Sequence, residues 1–551
     1  MAPKGHRPAM KRPARHVPAV AEHPLVPQVP LQKKAASHAR KRPASHAPQH
    51  EPAQYQAAPA DQAPPTNDWL QEYVPQDQAQ SPCFPEWERV AVETLMAAGL
   101  LHRQDGSTNE MVLRVWSDCA GLATEMYSLN ALRGALAKIG IKVKFVLYMY
   151  CERDPRAIEF AKANHQPSHI SDNIESRNLE EGKIWCSKCQ QNHDLPTEGI
   201  DIYVAGYPCS PWSRRGTRTG FQHKDIKPFQ IGIPTINIIR PVIWLWETAE
   251  GVADQRASQD CTDLDRAKAY IAKHISTPYV SVEVKCMSPP QQGFPNRRSR
   301  RYALNVRADI RGATKLGPAI SALLAAPVQL RHNYWTFLNL ARKVDWSKVG
   351  QYPSAAESQQ LGHGCTCRLD PSTVCQEHKC ACKHCEGLGC AWRQKMAKFL
   401  TTGGKDVAHT DGTLTYVQVM ELSGLPAPQN PRSRNMLNVL ARLPRSQPLN
   451  DTLLLVDMSQ GVDRCSLGYD GLAPTLATNS ALFSFQLGRY LNPYELASLH
   501  GLRAENMTFP PRCTEAFFRE RLGLGIHVAN LGVILLAALA GPLDPASSTP
   551  P

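Results

Sequence analysis

No stretch of this 551-residue chain is long and apolar enough to span a bilayer: the longest apolar run, Leu531 to Ala540, suits a buried helix instead. The amino terminus also lacks the apolar core of a secretion signal. A secretory route is therefore not expected, and the 17 cysteines are expected as reduced thiols or metal ligands rather than as a disulfide framework. Acids are scarce at one end. The first fifty residues set ten Lys or Arg against Glu22 alone, a surplus of nine out of the chain's +13, so the basicity is mostly a tail. That tail is rich in Pro, Ala, His and Gln and repeats KRPA at Lys11 and Lys41. Large apolar residues are too few there to fold, and residues 1–66 are expected to be disordered. The Lys33-Lys34 and Arg40-Lys41-Arg42 clusters fit nuclear targeting or contact with nucleic-acid phosphates; a solvated tail of no specific role fits them equally.

Beyond the tail, apolar residues reach 42% of the chain, enough for a sizeable core in two to four domains. Residues 67–110 read as a lead-in with a helix centred on Glu86 to Leu101. An α/β rhythm follows. Leu113 to Ser117 reads as a strand, DCAGLAT as a turn around Gly121, and Thr124 to Lys138 as a helix ending at Gly140. Phe145 to Tyr150 is a continuous apolar run, the pattern of a parallel strand covered on both faces. Glu152 stands at its tip, where nucleotide-binding α/β folds place an acid for ribose hydroxyls, and Asp172 stands near a third strand end. An ordinary helix-start acid is the plainer alternative for Glu152.

Asp201 to Tyr207 is a further strand, stopped by Pro208-Cys209 in a small loop that continues Ser210-Pro211-Trp212-Ser213-Arg214-Arg215. A thiol at a carboxyl strand end lies where an open α/β sheet places its chemistry, and neighbouring positive charge favours the thiolate. A spare cysteine in a turn is the plainer reading. Val242 to Trp246, with Trp244 and Trp246 expected in the core, leads into Glu247. GFPNRRSRRYAL then brings Arg298 and Arg300 into a strand at alternate positions, expected on one face; alone, the pair would also suit a generic anion-binding surface.

In this order the blocks resemble the cytosine-5 DNA methyltransferases. Pro208-Cys209 matches the family's nucleophile motif, Glu247-Thr248-Ala249 its Glu-Asn-Val, and Asn296 to Arg300 its Gln-x-Arg-x-Arg. Pro474-Thr475-Leu476, Arg489 to Glu495 with Leu499-His500-Gly501, and Gly525 with Val528 near the carboxyl end continue the series. Ser210, Thr248 and Ile526 depart from it. So does the first turn, which lacks an aromatic residue and a second glycine. The resemblance implies a Rossmann-like class I methyltransferase fold of the α/β class: a mixed sheet with helices on both faces, plus a smaller zinc-bearing target recognition domain. It implies S-adenosylmethionine bound by backbone at Ala120 and Gly121, by Glu152 at the ribose, by Asp172 near the adenine, and at Pro208. It further implies that Cys209 attacks C6 of a flipped cytosine while Glu247, held neutral by burial, stabilises N3 and Arg298 and Arg300 hold the base. The final helix would return beside the first strand and close the cofactor pocket.

The resulting organisation is a catalytic domain over 111–310, a recognition insert over 311–470, the rest of the catalytic domain over 471–541 and a disordered end over 542–551. Within the insert, residues 363–390 carry Cys365, Cys367, Cys375, Cys380, Cys382, Cys385 and Cys390 with His378, along with His363 and His384. That density in a chain expected to be intracellular argues for structural zinc, with unliganded or redox-active thiols as the alternative. Cys186 and Cys189 with His193 have the spacing of half a zinc site; with no second pair close in sequence, a free pair is favoured. The expected partner is double-stranded DNA, with RNA possible, no membrane, and a nuclear location. The alternatives are an RNA cytosine-5 methyltransferase and a catalytically silent, zinc-dependent DNA-binding protein.

Overall fold

The computed structural model describes residues 68–75, 81–104, 109–213, 219–255, 260–340, 455–460, 467–468 and 471–543, with short stretches between 417 and 440. Residues 1–66, the cysteine cluster at 363–390 and Arg214 and Arg215 lie outside them.

Strands of three to nine residues build one seven-stranded sheet. Its strands are β1 (Met111–Asp118), β2 (Val143–Cys151), β3 (His169–Ser171), β6 (Ile202–Ala205), β7 (Ile243–Ala249), β8 (Tyr279–Met287) and β9 (Arg300–Arg307). The order is β3-β2-β1-β6-β7-β9-β8; the first five run parallel, and β9 is antiparallel to both β7 and β8. Side-chain alternation sends residues of one strand into two cores. Val115, Val204 and Leu245 enter one core, and Trp116, Tyr203, Trp244 and Trp246 the other. Both tryptophans of β7 are therefore buried core, as expected.

Helices cover both faces: α1 (Trp87–Ala97), α2 (Thr124–Ala137), α3 (Pro155–Asn164), α4 (Lys227–Ile239), α5 (Asp263–His274) and α6 (Leu316–Ala325). The turn after α2 closes at Gly140, at φ 86°, where a Cβ would strike the Gln104 carbonyl. Near the carboxyl end come α7 (Pro493–Leu499), α8 (Glu515–Leu524) and α9 (Val528–Leu539). Every residue of α9 is buried, which accounts for its apolarity without a bilayer. It packs on α1, α2, α6 and β9, and Ser128 donates to the Val528 carbonyl at 2.8 Å. The contact with the first strand thus runs through the helix that follows it. Among the described residues, no single helix is long and apolar enough to cross a membrane.

Two expectations are corrected. β7 runs through Ala249, so Glu247 is a strand residue paired with Tyr302 of β9 rather than an acid following the strand. The segment from residue 311, expected within the insert, begins with α6, whose Leu316, Ala319, Ile320 and Leu323 belong to the main core beside α9. Between β3 and β6, where a parallel crossover ordinarily carries a long helix, the chain instead forms a hairpin of β4 (Lys183–Cys186) and β5 (Gln191–Asp194).

Candidate active site

The register of the parallel strands aligns their carboxyl ends. Ser171, Cys151, Asp118, Ala205 and Trp246 pair side by side across β3, β2, β1, β6 and β7. One residue further along each strand come Asp172, Glu152, Cys119, Gly206 and Glu247, so the expected site residues share one edge of the sheet. Ligands of open α/β sheets bind at that edge.

On the β1–β2 side, Cys119, Gly121 and Ala123 all take positive φ, 52°, 55° and 52°, in a tight turn. Gly121 N–H donates to Glu152 Oε2 at 3.0 Å, and Arg153 and Asp154 N–H donate to Glu152 Oε1 at 2.9 and 3.1 Å. Tyr150 hydroxyl fixes the other side of the turn, donating to the Gly121 carbonyl at 2.6 Å. A carboxylate offers about four acceptor positions, and three backbone donors leave one for a ligand hydroxyl. A Cβ built on Gly121 would meet nothing within 4 Å, so the space above the turn is open. These features fit a nucleoside-bearing cofactor with Ala120, Gly121 and Glu152 around it. Asp172 is exposed beyond β3, and Pro208 is half-buried beside Cys209.

Cys209 lies four residues beyond β6, and its carbonyl accepts from Trp212 N–H and Ser213 N–H at 3.1 and 2.8 Å. Burial raises its thiol pKa; Arg300 and Arg298 oppose that rise, while Glu247 adds to it. Arg214 and Arg215, whose charge was expected to favour the thiolate, lie outside the described residues; against Arg300 and Arg298 alone, burial wins. Glu247 is 6% exposed, and Arg300 Nε lies 2.8 Å from its Oε1. The contact follows from register: Arg300 pairs with Ala249 and Glu247 with Tyr302, so the two are diagonal neighbours on adjacent strands. Thr248, standing where the family has Asn, is buried with no hydrogen-bond partner for its hydroxyl among the described residues, so Arg300 holds the carboxylate instead. A carboxyl held neutral by burial was expected, and the structure sets a guanidinium against it. Ser210 is committed to Asp225 at 2.7 Å.

Arg298 and Arg300 part company. Arg298 precedes β9 and is buried, donating to Leu476 O at 2.9 Å, Gly523 O at 3.2 Å and Gly525 O at 2.6 Å. Burial, with Arg300 nearby, brings its pKa down to about 9. Its expected hold on a base is therefore corrected to a clamp on the carboxyl-terminal blocks, which brings Ile526 Cδ1 to 3.8 Å from where a Gly206 Cβ would stand. Arg489 pairs with Glu495 at 2.8 Å, and Asn492 and Glu495 form the capping box of α7, the helix start that Asn492-Pro493 announces.

Sequence reasoning missed two groups. Asp118 is fully buried and paired with Arg177; Trp116 Nε1 donates to it at 2.9 Å and the Tyr203 hydroxyl also bonds it. An acid ending an apolar strand with aromatics two positions away on β1 and on the neighbouring strand was the available signal. The second is His169, which β3 brings to Cys186, Cys189 and His193. Its separation in sequence hid it.

The strand order and the aligned carboxyl edge define a Rossmann-like class I methyltransferase fold. Residues 126–322 match the family model of the C-5 cytosine-specific DNA methylases. S-adenosylmethionine is the methyl donor of this family. No curated protein matches the chain. Among solved structures it is similar to a putative DNA modification methyltransferase of an Escherichia coli prophage, at 15% identity over 78% of this chain and 98% of that one, TM-score 0.39. The Schizosaccharomyces pombe Dnmt2 methyltransferase is similar at 16% identity, over 78% of this chain and 99% of that one, TM-score 0.37. The Entamoeba histolytica methyltransferase EhMeth follows at 12% identity, over 78% and 98%, TM-score 0.36.

Proposed function

We propose that the protein is a DNA cytosine-5 methyltransferase in which Cys209 is the nucleophile. The observation that carries this reading is the meeting of Cys209, Glu247 and Arg300 at the edge that also presents Glu152 and the Gly121 turn. Cytosine C6 is a poor electrophile, so thiolate addition needs N3 protonated or strongly hydrogen-bonded. Glu247 supplies that contact, with Arg300 as the positioning residue that aims it. Addition of Cys209 to C6 makes C5 nucleophilic; once C5 carries the transferred methyl group, loss of its proton expels the thiolate and restores the ring, so one difficult substitution becomes easier steps. S-adenosylmethionine, when bound, supplies an electrophilic methyl group. Glu152 would hold its ribose, Ala120 and Gly121 would meet it with backbone, and Asp172 and Pro208 would complete the pocket on the adenine and substrate sides.

A thiol raised by burial suits a nucleophile released only when substrate brings its own charge and hydrogen bonds. The target base must leave the duplex, because a base within the stack does not offer its face. The surplus of nine positive charges in the first fifty residues and the 169 residues between Leu304 and Pro474 favour duplex DNA as the acceptor. Zinc on Cys365, Cys367, Cys375, His378, Cys380, Cys382, Cys385 and Cys390 would order that insert, and the basic tail fits a nuclear location. The test is transfer of labelled methyl groups to duplex DNA and to transfer RNA in competition. Label in DNA cytosine supports the proposal, label in RNA alone assigns the RNA branch, and label in neither, with cofactor bound, assigns the silent binding protein.

A further inference from the structure

The hairpin β4–β5 is too small to hold itself: two four-residue strands are marginal in water without further packing. Ile184 and Cys186 are buried while most of β5 is exposed, and the hairpin stands where a crossover helix would otherwise cover the sheet. Four side chains nevertheless converge at its tip. Cys186 ends β4, Cys189 lies in the turn, His193 is on β5, and His169 opens β3. One ligand atom from each lies within 4.8 Å of every other.

Their spacing is that of a tetrahedron around one ion. Zinc bonds of about 2.3 Å to sulfur and 2.0–2.1 Å to nitrogen imply sulfur-to-nitrogen edges of about 3.5 Å. Cys189 Sγ and Cys186 Sγ lie 3.5 and 3.8 Å from His169 Nδ1. Cys186 Sγ also accepts N–H bonds from Ile170 and Cys189, both at 3.4 Å, as a metal-bound thiolate would. The second imidazole, His193, meets His169 edge to face at 4.6 Å, and its Nε2 is buried with no hydrogen-bond partner among the described residues. A buried ring nitrogen without a partner is costly unless it has a ligand to meet.

We infer that His169, Cys186, Cys189 and His193 form a structural zinc site that fastens the β4–β5 hairpin to the edge strand β3. Two thiolates and two neutral imidazoles close the four-coordinate shell, leaving no open position for chemistry. Binding releases the two thiol protons to solvent. The site uses none of residues 363–390 and does not depend on the reading of Cys209. Its consequence for the active edge is mechanical, because the strand that His169 opens is the one that presents Asp172.

The test is the zinc content of the full-length protein, purified without chelators and without a polyhistidine tag, by mass spectrometry of the metal. Cys189→Ser and His193→Ala should each lose about one zinc per chain relative to the unmodified protein, whatever other zinc it holds. His193→Cys, which keeps four ligands, should retain it, and so guards against mistaking misfolding for metal loss. Reconstitution with cobalt gives a second readout: the sulfur-to-cobalt absorption should fall in Cys189→Ser. Zinc content unchanged in folded Cys189→Ser and His193→Ala, or a Cys186–Cys189 disulfide in the freshly purified protein, would overturn the assignment.

Discussion

Asp118 and Glu247 are both buried carboxylates at the carboxyl edge of one sheet, and both face a guanidinium. Asp118 is closed on all sides: Arg177 reaches it with two nitrogens, and Trp116 and Tyr203 fill its remaining acceptor positions. Glu247 meets the single nitrogen Arg300 Nε at 2.8 Å and shares its surroundings with the Cys209 thiol. A saturated pair has nothing left to offer a substrate and ties strands together. A sparsely bonded pair beside a nucleophile leaves a carboxyl oxygen uncommitted, and that oxygen is free to meet a base edge. Burial and charge alone do not separate the two; the number of bonds already made does.

Glu247→Gln should break the comparison most clearly. It keeps the shape, removes the ionisable carboxyl, and should lower methyl transfer by about 10²–10⁴-fold, well beyond any loss of folded protein from breaking the Arg300 ion pair. In the same variant, Cys209 should react faster with iodoacetamide at fixed pH, because Glu247 helps to hold the thiol protonated. Slower alkylation would contradict the electrostatics drawn for this pocket.

Arg177→Ala should do the reverse. It leaves Asp118 buried and uncompensated, at a cost of about 3–5 kcal/mol in denaturant unfolding, and its activity should fall only as far as the folded fraction does. A stable Arg177→Ala protein lacking activity would move Arg177 from structure to chemistry.

Glu125 sharpens the comparison from the other side, since it is buried without a cation. Burial raises its carboxyl pKa to about 7, against a lowering contribution from Ser117. The folded state then binds the proton more tightly than the unfolded chain does, so stability falls as pH rises from about 4.5 through 7. Glu125→Gln should abolish that fall and stabilise the protein by about 1–3 kcal/mol at pH 8. Equal melting curves for the two proteins at pH 5 and pH 8 would sink this account.

Asp154 is the mildest case. It caps α3; burial works against its charge, but Arg156, a backbone N–H and Arg521 bring its pKa down to about 2. That stabilisation is present above pH 4 and lost as pH falls through about 2. Asp154→Asn should cost about 1–2 kcal/mol at pH 7, read from urea unfolding.

Much of this edge was legible in the sequence, because parallel strands announce themselves as apolar runs and a change of residue type marks their ends. Glu152 stands directly past its strand, where that end predicts, whereas β6 stops at Ala205 and leaves Cys209 four residues further on rather than at the strand end. Glu247 was found for its chemistry but misplaced by one element, since Thr248 and Ala249 continue the strand without the bulk of its aromatic start. Arg298 could not be read: spacing puts it beside Arg300, and only tertiary packing shows its guanidinium spent on Leu476, Gly523 and Gly525. His169 was missed for the same reason, as metal-ligand spacing is visible along the chain but not across a sheet.

The most direct test of the central claim is covalent trapping on duplex DNA containing 5-fluorocytosine in the presence of S-adenosylmethionine. Fluorine at C5 cannot be lost as a proton is, so the thiolate that added to C6 is not expelled. The account predicts a cofactor-dependent protein–DNA adduct carried on a peptide containing Cys209 and absent from Cys209→Ala. An adduct that persists in folded Cys209→Ala, or that maps to another cysteine, would contradict it.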